Sequence, residues 1–273
     1  MNEAAVRPFV VLPCLNEALA IRNLLEGVLA HCRDVIVIDD GSIDDTAAIV
    51  ARMPVTLIRH PERRGKGEAL RAGFREALKR GATGVLTMDG DGQHDPADIP
   101  RILAAARQFP GAMIIGARML ERERQPAGRR RANDFADWGI SWGCGRPVAD
   151  TQSGQRWYPH AAVELVDLPA QDFVFEAAIL IAASRDLDMP VVSIPIVCRY
   201  DSDARHSHFR SVRDTVRITW YTMRRVAHYG SLMRSYRASH ASPPRICDPE
   251  HLLDAPPPSA RLAGVGGPPG NEC

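Results

Sequence analysis

Short apolar runs punctuate the first half of the chain at Phe9–Leu12, Val35–Ile38, Val55–Ile58, Val85–Met88 and Met113–Ile115. They are dominated by β-branched and aliphatic residues and lack strict polar alternation, the pattern of strands covered on both faces in a parallel sheet. Between them lie helical stripes. Ile21, Leu24, Leu25, Val28 and Leu29 share one face, as do Leu70, Phe74, Ala77 and Leu78, and then Ile99, Ile102, Leu103 and Ala106. Pro96 stands where a helix start tolerates a missing N–H. The alternation predicts an α/β fold built on a single Rossmann-like, mostly parallel sheet flanked by helices.

The second half is less regular. Gly116–Arg131 is charged and Arg-rich and is expected to be a mobile loop. Helices are expected around Asn133–Trp142, over Phe173–Ala183 and from about Val212 to His228. A strand is expected at Val191–Val197, with Pro195 at a sheet edge. Beyond Ala241 the chain turns to Pro and Gly, and 241–273 is expected to be a disordered tail, since such composition buries too little apolar surface to fold.

Composition narrows the function. The chain has 273 residues, 45% hydrophobic and 25% charged, enough for one large α/β domain. A formal net charge of +1 excludes a broad basic field, so no nucleic-acid partner is expected. No apolar run reaches the roughly 18 residues of a membrane-spanning helix. The N-terminus reads as a strand and not as a signal peptide. The cysteines (Cys14, Cys32, Cys144, Cys198, Cys247 and Cys273) form no C-x-x-C pair and no zinc spacing. They are expected to be free thiols in a reducing cytoplasm.

Ligands of doubly wound sheets bind beyond the carboxyl ends of the strands, and three such ends carry acids. Asp89-Gly90-Asp91 follows a strand directly, and residues i and i+2 of an extended segment point to one side. Two such carboxylates can hold a hard divalent cation, with Gln93 as a third oxygen. The same residues also make an ordinary capped turn. Asp39-Asp40-Gly41-Ser42 follows the second strand, where Asp39 can accept from a base or ribose, or Asp40 or Ser42 can cap a helix. Pro13-Cys14-Leu15-Asn16-Glu17 ends the first strand.

Taken in order, P-C-L-N-E (13–17), V-I-D-D-G-S (37–42), G-K-G-E-A-L-R-A-G-F (65–74), M-D-G-D-G-Q-H-D-P (88–96), I-I-G-A-R (114–118), D-T-Q-S-G (150–154) and S-H-F-R (207–210) resemble glycosyltransferase family 2. The nearest subgroup is the dolichol-phosphate mannosyltransferase-like, polyprenyl-phosphate-dependent branch. The resemblance implies a GT-A fold over residues 1–240. Residues 8–118 would form the nucleotide-sugar half and 119–230 the acceptor half, with a possible interfacial helix at 211–229.

It further implies a nucleotide-sugar donor (GDP- or UDP-linked) held by Pro13, Asn16, Glu17, Asp39, Asp40, Ser42, Lys66, Asp89 and Gly90. Mg²⁺ or Mn²⁺ would sit on Asp89, Asp91 and Gln93. Asp91, Arg118 and Glu176 would be the catalytic residues. Asp150, Gln152, Ser153, Arg156, Arg199, Arg205, His208 and Arg210 would serve the acceptor. That acceptor would be a polyprenyl phosphate or another lipid, and the protein would be cytoplasmic, peripheral on a membrane. The alternatives are a hydroxyl acceptor, for which Glu176 would be the base, and a non-catalytic membrane-surface module of the same fold. The position two after Glu176, often acidic in relatives, is Ala178, which favours an acceptor that needs no base. Gln155 stands where relatives usually carry Phe, and Arg63-Arg64 where they often carry Asn-x.

Overall fold

No residue of the first strand, β1 (Pro8–Cys14), is charged, and its successive side chains enter two different cores. Phe9 and Val11 belong to one, Val10, Leu12 and Cys14 to the other. Ile36 and Ile38 of β2 (Val35–Asp39) likewise face the first core, while Val35 and Val37 face the second. A strand with apolar partners above and below needs no polar alternation, which is why the sequence shows runs. The chain is seen in a computed structural model that describes residues 7–120, 127–198, 211–230 and 232–247.

In chain order the first half is β1, α1 (Ile21–Leu29), β2, α2 (Thr46–Val50), β3 (Thr56–Arg59), α3 (Lys66–Lys79), β4 (Gly84–Thr87), α4 (Ile99–Gln108) and β5 (Met113–Ala117). The second half adds α5 (Ala127–Cys144), β6 (Arg156–Pro159), the single turn α6 (His160–Val163), α7 (Val174–Asp186), β7 (Val191–Pro195), α8 (Ser211–His228) and α9 (Leu232–Ser239). The seven strands lie in the order β3-β2-β1-β4-β6-β5-β7. Every pairing is parallel except the two made by β6. The chain winds outward from β1 through β2 to β3, then returns to the other side of β1 as β4. That reversal is a topological switch point, with a crevice outside the strand ends.

α7 is buried at every position from Val174 to Ser184. The core beside the sheet and the helices α5 and α8 enclose it, and a helix apolar all round belongs in such an interior. α8 divides its surface differently. Ile218, Thr222 and Val226 are buried, while Val216, Trp220 and Met223 are exposed on the opposite side.

Three expectations change. The strand β6 has no counterpart in the run analysis, because R-W-Y-P is four residues with an arginine and a proline. α5 starts at Ala127, inside the stretch expected to be loop, since Ala and Arg are good helix formers whatever their charge; residues 121–126 lie outside the described residues. The tail is ordered as far as Cys247. Ser193 N–H donates to Arg245 and Cys247 N–H to Ser193, both at 2.9 Å, and Cys247 is buried in the second core. Residues 248–273 lie outside the described residues.

Candidate active site at the strand ends

The parallel register places the ends of β2, β1 and β4 side by side, with Asp40 N–H donating to Cys14 O and Met88 N–H to Val11 O. At the first end, Asn16 takes a left-handed backbone (φ 58°). Its N–H donates to Ser42 Oγ at 2.8 Å, and its Oδ1 accepts from Ile43 N–H at 2.9 Å. Glu17 N–H donates to Thr46 Oγ1 at 2.8 Å. The loops after β1 and β2 are thus tied to each other through polar side chains.

Asp39 is fully buried. Its Oδ1 accepts from Ser42 N–H at 3.0 Å, and its Oδ2 lies 3.1 Å from Arg59 Nε. Asp40 organises the loop that leads into α3: His60 Nδ1 lies 2.7 Å from its Oδ1, and the N–H groups of Arg64 and Gly65 donate to it at 2.9 and 2.8 Å.

Gly65 adopts φ 94°, and a Cβ there would stand 1.9 Å from Asp172 Oδ1. Only glycine meets both demands, and the result is to aim Lys66 inward. Lys66 Nζ bridges Asp89 Oδ1 at 2.7 Å and Glu176 Oε2 at 3.0 Å. Burial alone would lower the lysine's pKa, but the two carboxylates outweigh it and raise it. Asp89 behaves reciprocally. Burial pushes its pKa up, and the charge of Lys66, then His94, the Lys66 hydrogen bond and Arg118 together hold it below the usual carboxylate range. A Cβ on Gly154 would lie 2.2 Å from Asp89 Oδ2, so the glycine keeps that oxygen's side of the crevice free. Asp91 is two residues on, and its Oδ1 accepts from Gln93 N–H at 3.0 Å.

Arg118, at the end of β5, makes a two-pronged contact with Asp150. Its Nε donates to Oδ2 at 2.8 Å, a terminal nitrogen to Oδ1 at 2.6 Å, and its backbone N–H to Oδ2 at 2.7 Å. Burial raises Asp150's pKa, but these contacts outweigh it and lower it. Two acceptor expectations meet a different geometry. Arg156 is fully enclosed, its guanidinium donating to the carbonyls of Ser153 at 2.6 Å and Thr151 at 2.5 Å. Ser153 is also fully buried. Both shape the 150–156 loop from beneath and offer no open face. Gln152 is partly buried in the same loop. Arg199, Arg205, His208 and Arg210 lie outside the described residues.

Three residues assigned no role from sequence emerge here. His94 is buried, with its Nδ1 unpartnered among the described residues. Burial, opposed by Asp89 and assisted by Arg118 and Lys66, lowers its pKa to about 4, so it is neutral at pH 7. It sits inside the 88–96 motif, which was the available signal. Asp137, on α5, accepts from the N–H groups of Asp150 and Thr151 and from the Thr151 hydroxyl at 2.6–3.0 Å. Asp172 underlies Gly65 and pairs with Arg217 at 2.8 Å. Nothing in the local pattern around Asp137 or Asp172 marks them, because their partners, the backbone of Asp150 and Thr151 and the side chain of Arg217, lie elsewhere in the sequence.

The family model described as Glycosyl transferase family 2 matches residues 9–157, more than half of the chain. The chain belongs to that family. Among its relatives is the UDP-N-acetylglucosamine–dolichyl-phosphate N-acetylglucosaminyltransferase of Methanococcus voltae, 26% identical over 221 residues, covering 72% of this chain and 88% of that one. The undecaprenyl-phosphate mannosyltransferase of Micrococcus luteus is 29% identical over 211 residues, covering 70% and 83%. The fold matches glucosyl-3-phosphoglycerate synthase from Mycobacterium tuberculosis, solved with Mn²⁺, UDP and phosphoglyceric acid. The TM-score is 0.63 at 21% identity, covering 82% of this chain and 79% of that one. The seven-stranded sheet is therefore a GT-A sheet, and the switch-point crevice belongs to a glycosyltransferase fold.

Proposed function

We propose that the protein is an inverting glycosyltransferase that moves a sugar from a nucleotide-sugar donor to a polyprenyl phosphate. The observation that carries the reading is the position of Asp89 and Asp91 at the switch point. Lys66 lies in direct contact with Asp89, and Arg118 is near enough to stabilise its charge. The relatives named for dolichyl and undecaprenyl phosphates support the acceptor class.

In this reading Pro13, Asn16, Glu17, Asp39, Asp40 and Ser42 form the nucleotide end of the crevice, and Lys66, Asp89 and Gly90 the phosphate end. Asp89, Asp91 and Gln93 would hold Mg²⁺ or Mn²⁺. Their chemistry fits: all offer oxygen, the space beside Asp89 Oδ2 is one a Cβ would fill, and a Mg²⁺-type ion takes one or two carboxylates and completes its shell with phosphate and water. Related GT-A structures were solved with Mn²⁺ or Mg²⁺. When bound, the ion neutralises charge on a departing diphosphate as a Lewis acid.

The chain's own residues do the rest. Lys66 supplies a fixed positive charge beside the diphosphate site, and such preorganised charge is the larger part of leaving-group stabilisation. The acceptor's phosphate oxygen attacks the anomeric carbon from the face opposite the nucleotide. The carbon–oxygen bond to the diphosphate breaks, its electron pair stays on the diphosphate oxygen, and the anomeric configuration inverts. A phosphate monoester has a second pKa of about 6, so the attacking oxygen is already anionic near pH 7 and needs no base. Arg118, held by Asp150, faces this region together with the 150–156 loop. The protein would work as a peripheral enzyme at the cytoplasmic face of a membrane; among the described residues no helix is long and apolar enough to cross one.

A hydroxyl acceptor is the second reading. It is favoured by Glu176, whose buried Oε1 has no hydrogen-bond partner among the described residues and could receive a proton. The test is a transfer assay with purified protein, Mn²⁺ or Mg²⁺, a panel of GDP- and UDP-sugars, and short polyprenyl phosphates or glycolipid alcohols. Metal-dependent transfer to the phosphate, retained in Glu176→Gln, is expected. Transfer only to alcohols, lost in Glu176→Gln, selects the second reading. Folded protein that transfers nothing overturns both.

A further inference from the structure

Between α5 and α8 lies a cavity of about 240 Å³. Trp138, Gly139 and Trp142 line it from α5, Ile218 and Met223 from α8, and Gln152 from the active-site loop. Three observations identify what it takes. First, the wall is mostly hydrocarbon and aromatic ring, and an apolar cavity of this kind favours an apolar guest over water. Second, its position joins two surfaces. Trp138 and Met223 are 39% and 44% exposed, so one end meets the outward apolar side of α8. Gln152 lies two residues from Asp150, the partner of Arg118, and Asp137, the neighbour of Trp138, holds the backbone of Asp150 and Thr151. Third, the α5 wall has a gap, since a Cβ on Gly139 would meet nothing within 4 Å.

We propose that this cavity receives the first isoprene units of the acceptor, with the phosphate emerging past Gln152 toward Arg118. The inference rests on the polyprenyl-phosphate reading and adds the site for the chain. The size fits: an apolar cavity of about 150 Å³ holds a six-carbon ring, so this one accommodates roughly ten carbons, or two isoprene units.

The test uses the full-length protein and geranyl phosphate, a ten-carbon probe with the same head group. Binding is read from tryptophan emission, with inorganic phosphate as the control. Gly139→Phe adds a ring at a cavity-lining position whose Cβ meets nothing within 4 Å, and Gly139→Leu is a smaller second filling. The wild type is expected to bind geranyl phosphate at least tenfold more tightly than inorganic phosphate. Both variants should lose at least tenfold of that affinity while keeping the wild-type thermal shift with UDP or GDP and Mn²⁺. The proposal is overturned if geranyl phosphate binds the wild type no better than phosphate, the result expected if another part of the chain fills the cavity. It is equally overturned if the fillings leave binding within twofold. Failure of the transfer reading looks different: no sugar moves from any donor, yet filling still abolishes prenyl binding. Undiminished transfer to geranyl phosphate by Gly139→Phe would sink the cavity and leave the transfer reading standing.

Discussion

At the residue scale the site is a set of mutually held charges. Lys66 neutralises two carboxylates that would otherwise face each other across a buried gap. Lys66→Met should therefore cost about 3 kcal/mol at pH 7, the order seen when one partner of a buried ion pair is removed. The loss should shrink in acid as Asp89 protonates, below the usual carboxylate range, and urea unfolding followed from pH 7 down through that range measures both. Gly154→Ala tests position instead of charge. Its new methyl would meet Asp89 Oδ2 at 2.2 Å. A displacement on the order of 1 Å costs roughly 100-fold in rate, so transfer should fall by about that factor while circular dichroism stays unchanged. Asp137 gives the pH signature. Burial, opposed by Thr151 and reinforced by the charge of Asp150, raises its pKa to about 6, against about 3.9 in an unfolded chain. The folded state thus keeps a proton that the unfolded state has released. The resulting stability is complete below about pH 4 and is lost as pH rises through about 6, an effect of about 3 kcal/mol. Asp137→Asn should flatten the unfolding midpoint across that window. The sequence displayed the acids at 39, 40, 89 and 91, because strand ends mark themselves with polar residues after apolar runs. It did not display that Arg118 would find Asp150, or that Arg156 would lie beneath its own loop. Those pairings depend on how two distant loops meet.

At the element scale, legibility follows the period of the pattern. The parallel strands and the helices α1, α3 and α4 each carry a repeated apolar signal and were readable. β6 is only four residues long, and its place between β4 and β5 is set by tertiary pairing alone. The segment 241–247 is held by backbone hydrogen bonds to Ser193, which composition does not encode. α8 carries apolar residues on two sides, one for the core and one for the outside. α7 settles the meaning of Ala178, which is fully buried and part of the core beside the sheet. An acid there would enter hydrocarbon without a partner. Ala178→Asp should therefore destabilise the fold by about 3 kcal/mol or more, read as a lowered denaturation midpoint. An acid cannot be placed at this position by one substitution, because the surrounding packing is built for a methyl group.

At the scale of the whole molecule, most of the outward large apolar side chains among the described residues lie on the helices α5, α8 and α9 outside the sheet. Val216 and Trp220 of α8 are 62% and 67% exposed, Met233 of α9 is 64% exposed, and Phe135 of α5 is also exposed. Arg224, Arg234 and Arg237 are exposed on α8 and α9. Apolar side chains interspersed with arginine are the composition of a surface that lies in a lipid interface, where the rings enter the acyl boundary and the cations meet anionic head groups. Each such cation contributes about 1 kcal/mol near an anionic membrane, and that share is screened once the Debye length falls to about 3 Å at 1 M salt. Two measurable consequences differ in kind. Sedimentation with vesicles containing phosphatidylglycerol should show binding that weakens as salt rises and leaves a salt-resistant remainder. Trp220→Ala should diminish that remainder, by roughly tenfold in partition coefficient for a ring that buries most of its area, without changing the salt slope. Removing Arg234 and Arg237 together should flatten the slope and spare the remainder. Because the prenyl cavity opens beside this same surface, a protein that ignored such vesicles at low salt would have to draw its lipid from solution. The outward apolar cluster would then need a protein partner in place of a membrane.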